Sequence, residues 1–268
     1  MQRLVLLMIV LLLVLLSCPM SPVSVLAADA SRTVIMTTLE WPPYTSRSLP
    51  GQGASVLVAQ AAFKAVGYTL EVHFYPWNRA LLTARENLEV DGYFPEYKSV
   101  ELERKYFFSD SIGSSPLGFI FGQNSGFHWE KMADLKAYSF GAILGYVNTE
   151  EFDGMAAKGD LRVRYAIDDA TNIRLVALDR VDAAVIDRHV FRCLQGRPEL
   201  EFTRGKVNFH PQVLEMKSLH LCFRKDDRGE QLKALFNEGL KRIDVETLQR
   251  KYFESNMDTS SRTMLPSP

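Results

Sequence analysis

The chain has 268 residues, of which 47% are hydrophobic, and its 31 basic residues nearly balance its 32 acidic ones. This length suits one large domain or two small ones, since domains typically contain about 100–200 residues. The balanced charge does not predict a basic face of the kind that nucleic-acid binding requires. We therefore expect no nucleic-acid partner.

Residues 1–27 have the pattern of a secretory signal peptide. Arg3 supplies a positive charge, residues 4–16 are an unbroken apolar run, and Ala27 ends a stretch of small residues suited to cleavage. The apolar run is shorter than the roughly 20 residues that a membrane-spanning helix needs. We expect a mature protein that is exported to the periplasm.

Cys18 has two interpretations that stay open. The preceding residues loosely resemble the site at which bacterial lipoproteins are cleaved and lipid-anchored, although Leu16 and Pro19 fit that site poorly. The favoured interpretation is a cysteine that is removed with the signal peptide. In an oxidising compartment Cys193 and Cys222 either pair or remain two free thiols, and the sequence does not decide between these states.

The first half of the mature chain alternates strand and helix. The hydrophobic pattern predicts the order β-α-β-α-β, with strands at 33–38 and 69–75 and a short strand from Tyr93, separated by helices at 54–66 and 79–89. This order favours a parallel sheet covered by helices.

The second half repeats the same order of elements, without an obvious repeat of sequence. Two further apolar strands, at 117–121 and 218–223, are placed to pass between the two α/β units, which predicts a hinge with a cleft. The pattern predicts strands at 139–144, 161–166 and 181–186, intervening helices at 149–158 and 168–178, and final helices at 229–243 and 245–253.

Several segments, taken together and in this order, carry a resemblance to a known family. They are 40–44 (EWPPY), 76–81 (PWNRAL), 108–110 (FSD), 174–187 (RLVALDRVDAAVID) and 236–253. The chain resembles the bacterial extracellular solute-binding proteins of family 3, the periplasmic receptors of polar amino-acid ABC importers, over most of its mature length.

The resemblance implies a type II periplasmic-binding-protein fold, which is an α/β fold of two lobes joined by two crossing strands. Lobe 1 is expected at 28–121 and 214–256, lobe 2 at 122–213, and a disordered polar tail at 257–268. The implied function is capture of a small polar or amino-acid-like molecule by closure of the hinge. A monomer that delivers its solute to an ABC permease in the inner membrane is expected, without a cofactor or metal.

The expected ligand site lies between the lobes, where loops follow the carboxyl ends of strands. Asp187 takes the family position of the acid that binds the ligand ammonium group, although an aspartate there also suits a helix cap. The candidate ligand-binding residues are Trp41, Tyr44, Trp77, Phe94, Tyr97, Gly145, Tyr146 and Asp187.

One departure from the family pattern bears on the ligand. The arginine that normally binds the ligand carboxylate is replaced by Leu102, and Arg104 lies two residues further on. Without that arginine a standard α-amino acid is a poor candidate, because bidentate arginine pairing is what suits a carboxylate. The many aromatic residues instead favour a flatter, less anionic solute whose cationic group stacks on rings.

Signals of catalysis are weak, so no catalytic residue is predicted. The sequence lacks a nucleophile elbow, a phosphate-binding loop and zinc-ligand spacing, and its five histidines are scattered. Two alternatives to a transport receptor stay open. One is a periplasmic enzyme resembling the cyclohexadienyl or prephenate dehydratases, and the other is a free-standing sensory ligand-binding module.

Overall fold

The computed structural model describes residues 32–257. The predicted signal peptide, Cys18 and residues 258–268 of the predicted tail lie outside the described residues, so those expectations remain predictions. Met257 belongs to the last helix. Within 32–257, every helix is too short or too polar to cross a membrane.

The strands and helices are numbered here in chain order. The strands are β1 (Thr33–Thr38), β2 (Thr69–Phe74), β3 (Gly92–Glu96), β4 (Tyr106–Phe108), β5 (Gly113–Gly122), β6 (Ser139–Ile143), β7 (Arg162–Ala166), β8 (Ala183–Asp187) and β9 (Val207–Arg224). The α-helices are α1 (Ala54–Ala65), α2 (Trp77–Glu86), α3 (Val100–Lys105), α4 (Glu150–Ala157), α5 (Asp169–Ala177), α6 (Arg188–Gln195), α7 (Asp227–Leu240) and α8 (Val245–Met257).

A mixed sheet connects these strands in the order β2-β1-β3-β9-β5-β8-β6-β7, with β4 paired to β9. β1 is parallel to β3, and β6 is parallel to β7 and β8. The long strands β5 and β9 run antiparallel, with Gly113 opposite Leu219 and Gly122 opposite Val207. They are the two predicted hinge strands, and the two-lobed α/β fold is confirmed. We call the part around β1–β3 lobe 1 and the part around β6–β8 lobe 2.

Side-chain caps explain where several helices begin. Thr149, Asp168 and Asp226 each accept a hydrogen bond from the backbone N–H three residues further on, at 3.1, 2.7 and 2.8 Å. Such caps satisfy backbone donors that lack a partner inside the helix. At the other end of α1, Gly67 adopts φ +80°, the left-handed conformation with which helices commonly end.

Each lobe has an aromatic core. In lobe 1, Phe63 lies 4.8 Å from Phe236 and 6.4 Å from Phe223 between ring centroids. In lobe 2, Phe119 and Phe140 lie 5.3 Å apart, and both rings also contact that of Phe152. Burial of such large side chains is the main contribution to the stability of each lobe.

The chain returns to lobe 1 through β9, after which α7 and α8 pack on α1. The lobe boundaries expected from the resemblance remain predictions, since β9 runs without interruption from Val207 to Arg224. The two described cysteines do not pair: Cys193 is a half-buried free thiol and Cys222 a buried one.

The packing of α7 on α1 predicts a destabilising substitution at Gly239. A Cβ atom there would lie 2.1 Å from the backbone oxygen of Ala62. We expect Gly239→Ala to lower the free energy of unfolding by about 1–3 kcal/mol, because a backbone atom in a packed core cannot move aside freely. Urea unfolding measures the effect.

Gly154, inside α4, supplies the matched control. A Cβ atom at this position would meet nothing within 4 Å. Gly154→Ala should therefore stabilise the protein by about 0.5–1 kcal/mol through helix propensity. Equal effects of the two substitutions would contradict the packing described here.

Candidate functional site

The loop after β1 brings two of the predicted aromatic residues to the cleft edge of lobe 1. Trp41 stacks on Tyr44 with ring centroids 4.6 Å apart, and its backbone N–H donates to the carbonyl oxygen of Thr45 at 2.7 Å. Both side chains are buried, and Tyr44 is completely so. This turn holds the rings in a fixed position at a strand end, where ligands bind in α/β sheets.

Trp77, the first residue of α2, joins lobe 1 directly to lobe 2. Its indole N–H donates to the carbonyl oxygen of Gly145 at 3.0 Å, and its ring meets that of Tyr146 edge-on at 5.8 Å. Gly145 adopts φ +85°, and a Cβ atom there would lie 2.7 Å from Oδ1 of Asn78. Glycine therefore permits both the turn and the close approach of the lobes.

Asp187 lies at the end of β8 and is 1% exposed. Its Oδ1 accepts the backbone N–H groups of His189 and Val190, at 2.6 and 2.8 Å, and thereby caps α6. Its Oδ2 accepts the Tyr44 hydroxyl at 2.9 Å and the Ser115 hydroxyl at 2.5 Å. Four protein donors thus surround this carboxyl group, which fills its usual acceptor capacity.

The remaining predicted residues occupy different depths. The Tyr97 hydroxyl shares a 2.5 Å hydrogen bond with Ser115 and so extends the network around Asp187. Phe94 was expected to line the cleft, but its ring is completely buried in the hydrophobic core of the sheet. The reason is its position inside β3, where side chains point alternately to opposite faces.

Two cavities lie between the lobes. The inner one has a volume of about 20 Å³, room for about one water molecule, and is lined by Trp41, Trp77, Glu96, Tyr97 and Tyr146 among others. The outer one has a volume of about 510 Å³ and is also bounded by Trp41, Trp77 and Tyr146. Tyr44, Phe94, Gly145 and Asp187 line neither of these two cavities.

Asp169 and Glu96 are acidic residues of the cleft that were not predicted from the sequence. Asp169 begins α5, is 6% exposed and lines the outer cavity. Glu96 ends β3 and lines the inner one, where it accepts the backbone N–H of Tyr97 at 2.8 Å. In the sequence, Asp169 resembles the acidic residue that commonly begins a helix, and Glu96 resembles an ordinary strand residue. Only the tertiary structure shows that both line a cavity.

Burial disfavours the charged form of all three cleft carboxyl groups. Desolvation raises the pKa of Glu96 to about 8, and that of Asp187 to about 6 against the effect of its hydrogen bonds. Desolvation, followed by the charges of Asp187 and Asp168, raises the pKa of Asp169 to about 7. The cleft therefore concentrates acidic groups that would be stabilised by a positive charge.

The residues at the position where the resemblance places a carboxylate-binding arginine do not supply a cation to the cleft. Leu102 lies in the short helix α3 and packs partly buried against the hydrophobic core, while Arg104 is exposed. Two other arginines line the outer cavity, and each has an acidic partner. Arg47 pairs with Glu40 at 3.6 Å, and Arg197 pairs with Glu199 at 3.8 Å.

No family model and no curated protein matches the chain. Solved structures do match its fold. A histidine kinase sensor domain with similarity to periplasmic binding proteins superposes with a TM-score of 0.70 at 18% identity, covering 82% of this chain and 96% of the other. An ancestral arginine-binding protein bound to arginine matches with a TM-score of 0.68 at 17% identity, covering 84% and 97%.

A third match is the substrate-binding protein of an amino-acid ABC transporter, with a TM-score of 0.63, 17% identity and coverage of 83% and 98%. These superpositions establish the two-lobed fold of periplasmic binding proteins. The sequence identities are too low to identify the ligand.

The buried carboxyl group of Glu96 predicts a pH-dependent free energy of unfolding. At pH 6.5 the folded state holds a proton on Glu96 that the unfolded chain has lost, and it releases this proton as the pH rises through about 8. The free energy of unfolding therefore falls between pH 6.5 and 8.5. Glu96 alone should account for a loss of about 2 kcal/mol across this window. Urea unfolding at a series of pH values measures it.

Glu96→Gln should remove most of this slope and leave the smaller part that Asp169 contributes through its raised pKa of about 7, whereas Glu101→Gln should leave the slope unchanged. Glu101 is exposed, and Lys105 lowers its pKa below the ordinary value, so its carboxyl group is ionised throughout the window. The window also lies above the pKa of His189, which burial lowers to about 4. An unaltered slope in Glu96→Gln would show that Glu96 is ionised in the folded protein.

Proposed function

We propose that this protein is a periplasmic solute-binding protein that captures a small molecule between its lobes and delivers it to an ABC permease in the inner membrane. Closure of the two lobes around the solute produces the form that docks on the permease. The observation that carries the proposal is the direct contact of the lobes beside an aromatic cavity of about 510 Å³, a volume within the range of small-molecule sites.

The contacts between the lobes favour a receptor that closes. Trp77 reaches the backbone of Gly145, and Tyr44 reaches the carboxyl group of Asp187. Both donors come from lobe 1 and both acceptors from lobe 2, so opening the hinge breaks these bonds. A ligand that binds the closed form more tightly than the open form shifts the population toward closure by that difference in affinity.

A sensory module is the second candidate function, and the sensor domain of the histidine kinase, similar in fold at a TM-score of 0.70, favours it. In that role the closed form would contact a membrane-bound sensor in place of a permease. Chemical cross-linking of the liganded protein in its native membrane distinguishes the two, since the cross-linked partner is a permease in one case and a sensor in the other.

A thermal-shift screen tests capture itself. The mature protein is heated with members of a solute panel that contains amino acids, amines and dicarboxylic and aromatic acids. A ligand at about 100 times its Kd should stabilise the protein by roughly 2.7 kcal/mol. Turnover of a bound acid would establish the dehydratase-like enzyme instead, and a folded protein that no solute stabilises would argue against capture.

The hydrogen bond between Trp77 and Gly145 predicts a variant that favours the open form. Trp77→Phe keeps an aromatic ring but removes the N–H donor, so closure loses a contribution of about 0.5–1.5 kcal/mol. We expect a larger radius of gyration in small-angle X-ray scattering of the unliganded protein. We also expect an affinity about threefold to tenfold weaker for any solute found in the screen.

Trp129→Phe is the matched control. The indole N–H of Trp129 is buried in lobe 2 and has no hydrogen-bond partner among residues 32–257, and its ring packs on Phe119 at 5.5 Å. Its replacement therefore removes an indole N–H without altering a contact between lobes. An identical scattering profile and affinity for the two variants would show that the bond from Trp77 does not contribute to closure.

A further inference from the structure

At the outer cavity, the buried indole N–H of Trp41 lacks a hydrogen-bond partner within residues 32–257 and lies beside the buried carboxyl group of Asp169. Trp41 is 7% exposed, and its indole N–H has no acceptor within hydrogen-bond distance in the described part of the chain. Asp169 is 6% exposed and lines the same cavity from the opposite lobe. An interaction with the Trp41 indole lowers the pKa of Asp169, but this contact is too long or too bent to form a hydrogen bond of normal geometry. Leaving such groups unsatisfied costs free energy that a ligand can recover.

The carboxyl group of Asp169 differs from that of Asp187 in this respect. Asp187 already accepts four hydrogen bonds from its own chain, two of them from Tyr44 and Ser115. A ligand ammonium group at Asp187 would have to displace one of these donors. At Asp169 it would displace no protein hydrogen bond of normal geometry in the described part of the chain, and would replace only the weak interaction with the Trp41 indole.

The charges around the outer cavity leave Asp169 without a cation. Among residues 32–257, neither Asp168 nor Asp169 forms an ion pair, whereas the two arginines of the cavity pair with Glu40 and Glu199. The carboxyl group of Asp168 accepts the backbone N–H of Thr171 at 2.7 Å and thereby caps α5. Two adjacent acidic groups therefore face a cavity whose positive charges are already engaged.

We propose that the outer cavity binds an organic cation that lacks a carboxylate, with its ammonium or guanidinium group on Asp169 and a neutral acceptor, such as an amide carbonyl or a hydroxyl, on the indole N–H of Trp41. The rings of Trp77 and Tyr146, which also line the cavity, provide the apolar walls. A desolvated cation gains from an opposite charge and from aromatic faces together. This inference rests on the proposed function, since it names the solute class and the binding residue of the same cleft.

L-argininamide and L-arginine form a matched pair of probes. They differ only in that the amide replaces the carboxylate, so the comparison isolates the effect of the negative charge. We expect isothermal titration calorimetry with the mature protein at neutral pH to give a Kd at least tenfold lower for the amide. Asp169→Asn should weaken amide binding at least tenfold, and Asp169→Glu should restore part of it.

Asp179→Asn is the control for the charge change. Asp179 lies just beyond the other end of α5, is exposed, and has φ +53°, a conformation that asparagine tolerates well. The Asp179→Asn variant should bind L-argininamide with a Kd within about twofold of the wild-type value. Circular dichroism and thermal unfolding establish that each variant is folded.

The outcomes separate this inference from the proposed function. Equal or tighter binding of L-arginine, or an Asp169→Asn variant that binds the amide as the wild type does, would overturn the inference. If a different solute from the panel binds while neither arginine compound does, the inference fails and solute capture stands. If no solute binds the folded protein, both fail.

Discussion

The carboxyl group of Asp187 is the point at which the two lobes share one hydrogen-bond network. Burying an ionisable group is costly unless donors replace the lost water, and here two backbone N–H groups of α6 and the hydroxyls of Tyr44 and Ser115 do so. Tyr44 belongs to lobe 1 and Ser115 to a hinge strand. The position of the lobes and the satisfaction of this carboxyl group therefore depend on each other.

This dependence explains the division of the cleft into two cavities. The network, together with Tyr97, fills the depth of the cleft and leaves an inner space for about one water molecule. In the described part of the cleft, the cavity large enough for a solute lies further out, between Trp41 and Trp77 on one side and Asp169 on the other. The acidic group available to a solute is therefore that of Asp169, at the start of α5, and not that of Asp187, at the end of β8.

Local patterns were sufficient to predict most of the fold. The strands and helices of both α/β units follow from hydrophobic periodicity, and Trp41 and Trp77 were found because each follows a strand end. The helices α3 and α6 and the strand β4 were missed, since they have only six, eight and three residues and so show too little of a period. The sequence also could not predict that four hydrogen bonds from the protein already occupy the carboxyl group of Asp187. Its partners Tyr44 and Ser115 lie 143 and 72 residues away in sequence, and only the folded hinge brings them together.

The placement of a solute determines whether its binding favours closure. A solute on Asp187 would replace bonds from Tyr44 and Ser115, so its gain would be offset by the loss of a contact that already holds the lobes together, at a cost of about 1–3 kcal/mol for each buried group left unpaired. A solute in the outer cavity would add a bridge from Asp169 to Trp41 and leave the inner network intact. Since only a difference in affinity between open and closed forms shifts their populations, the outer position is the one that couples binding to closure most strongly.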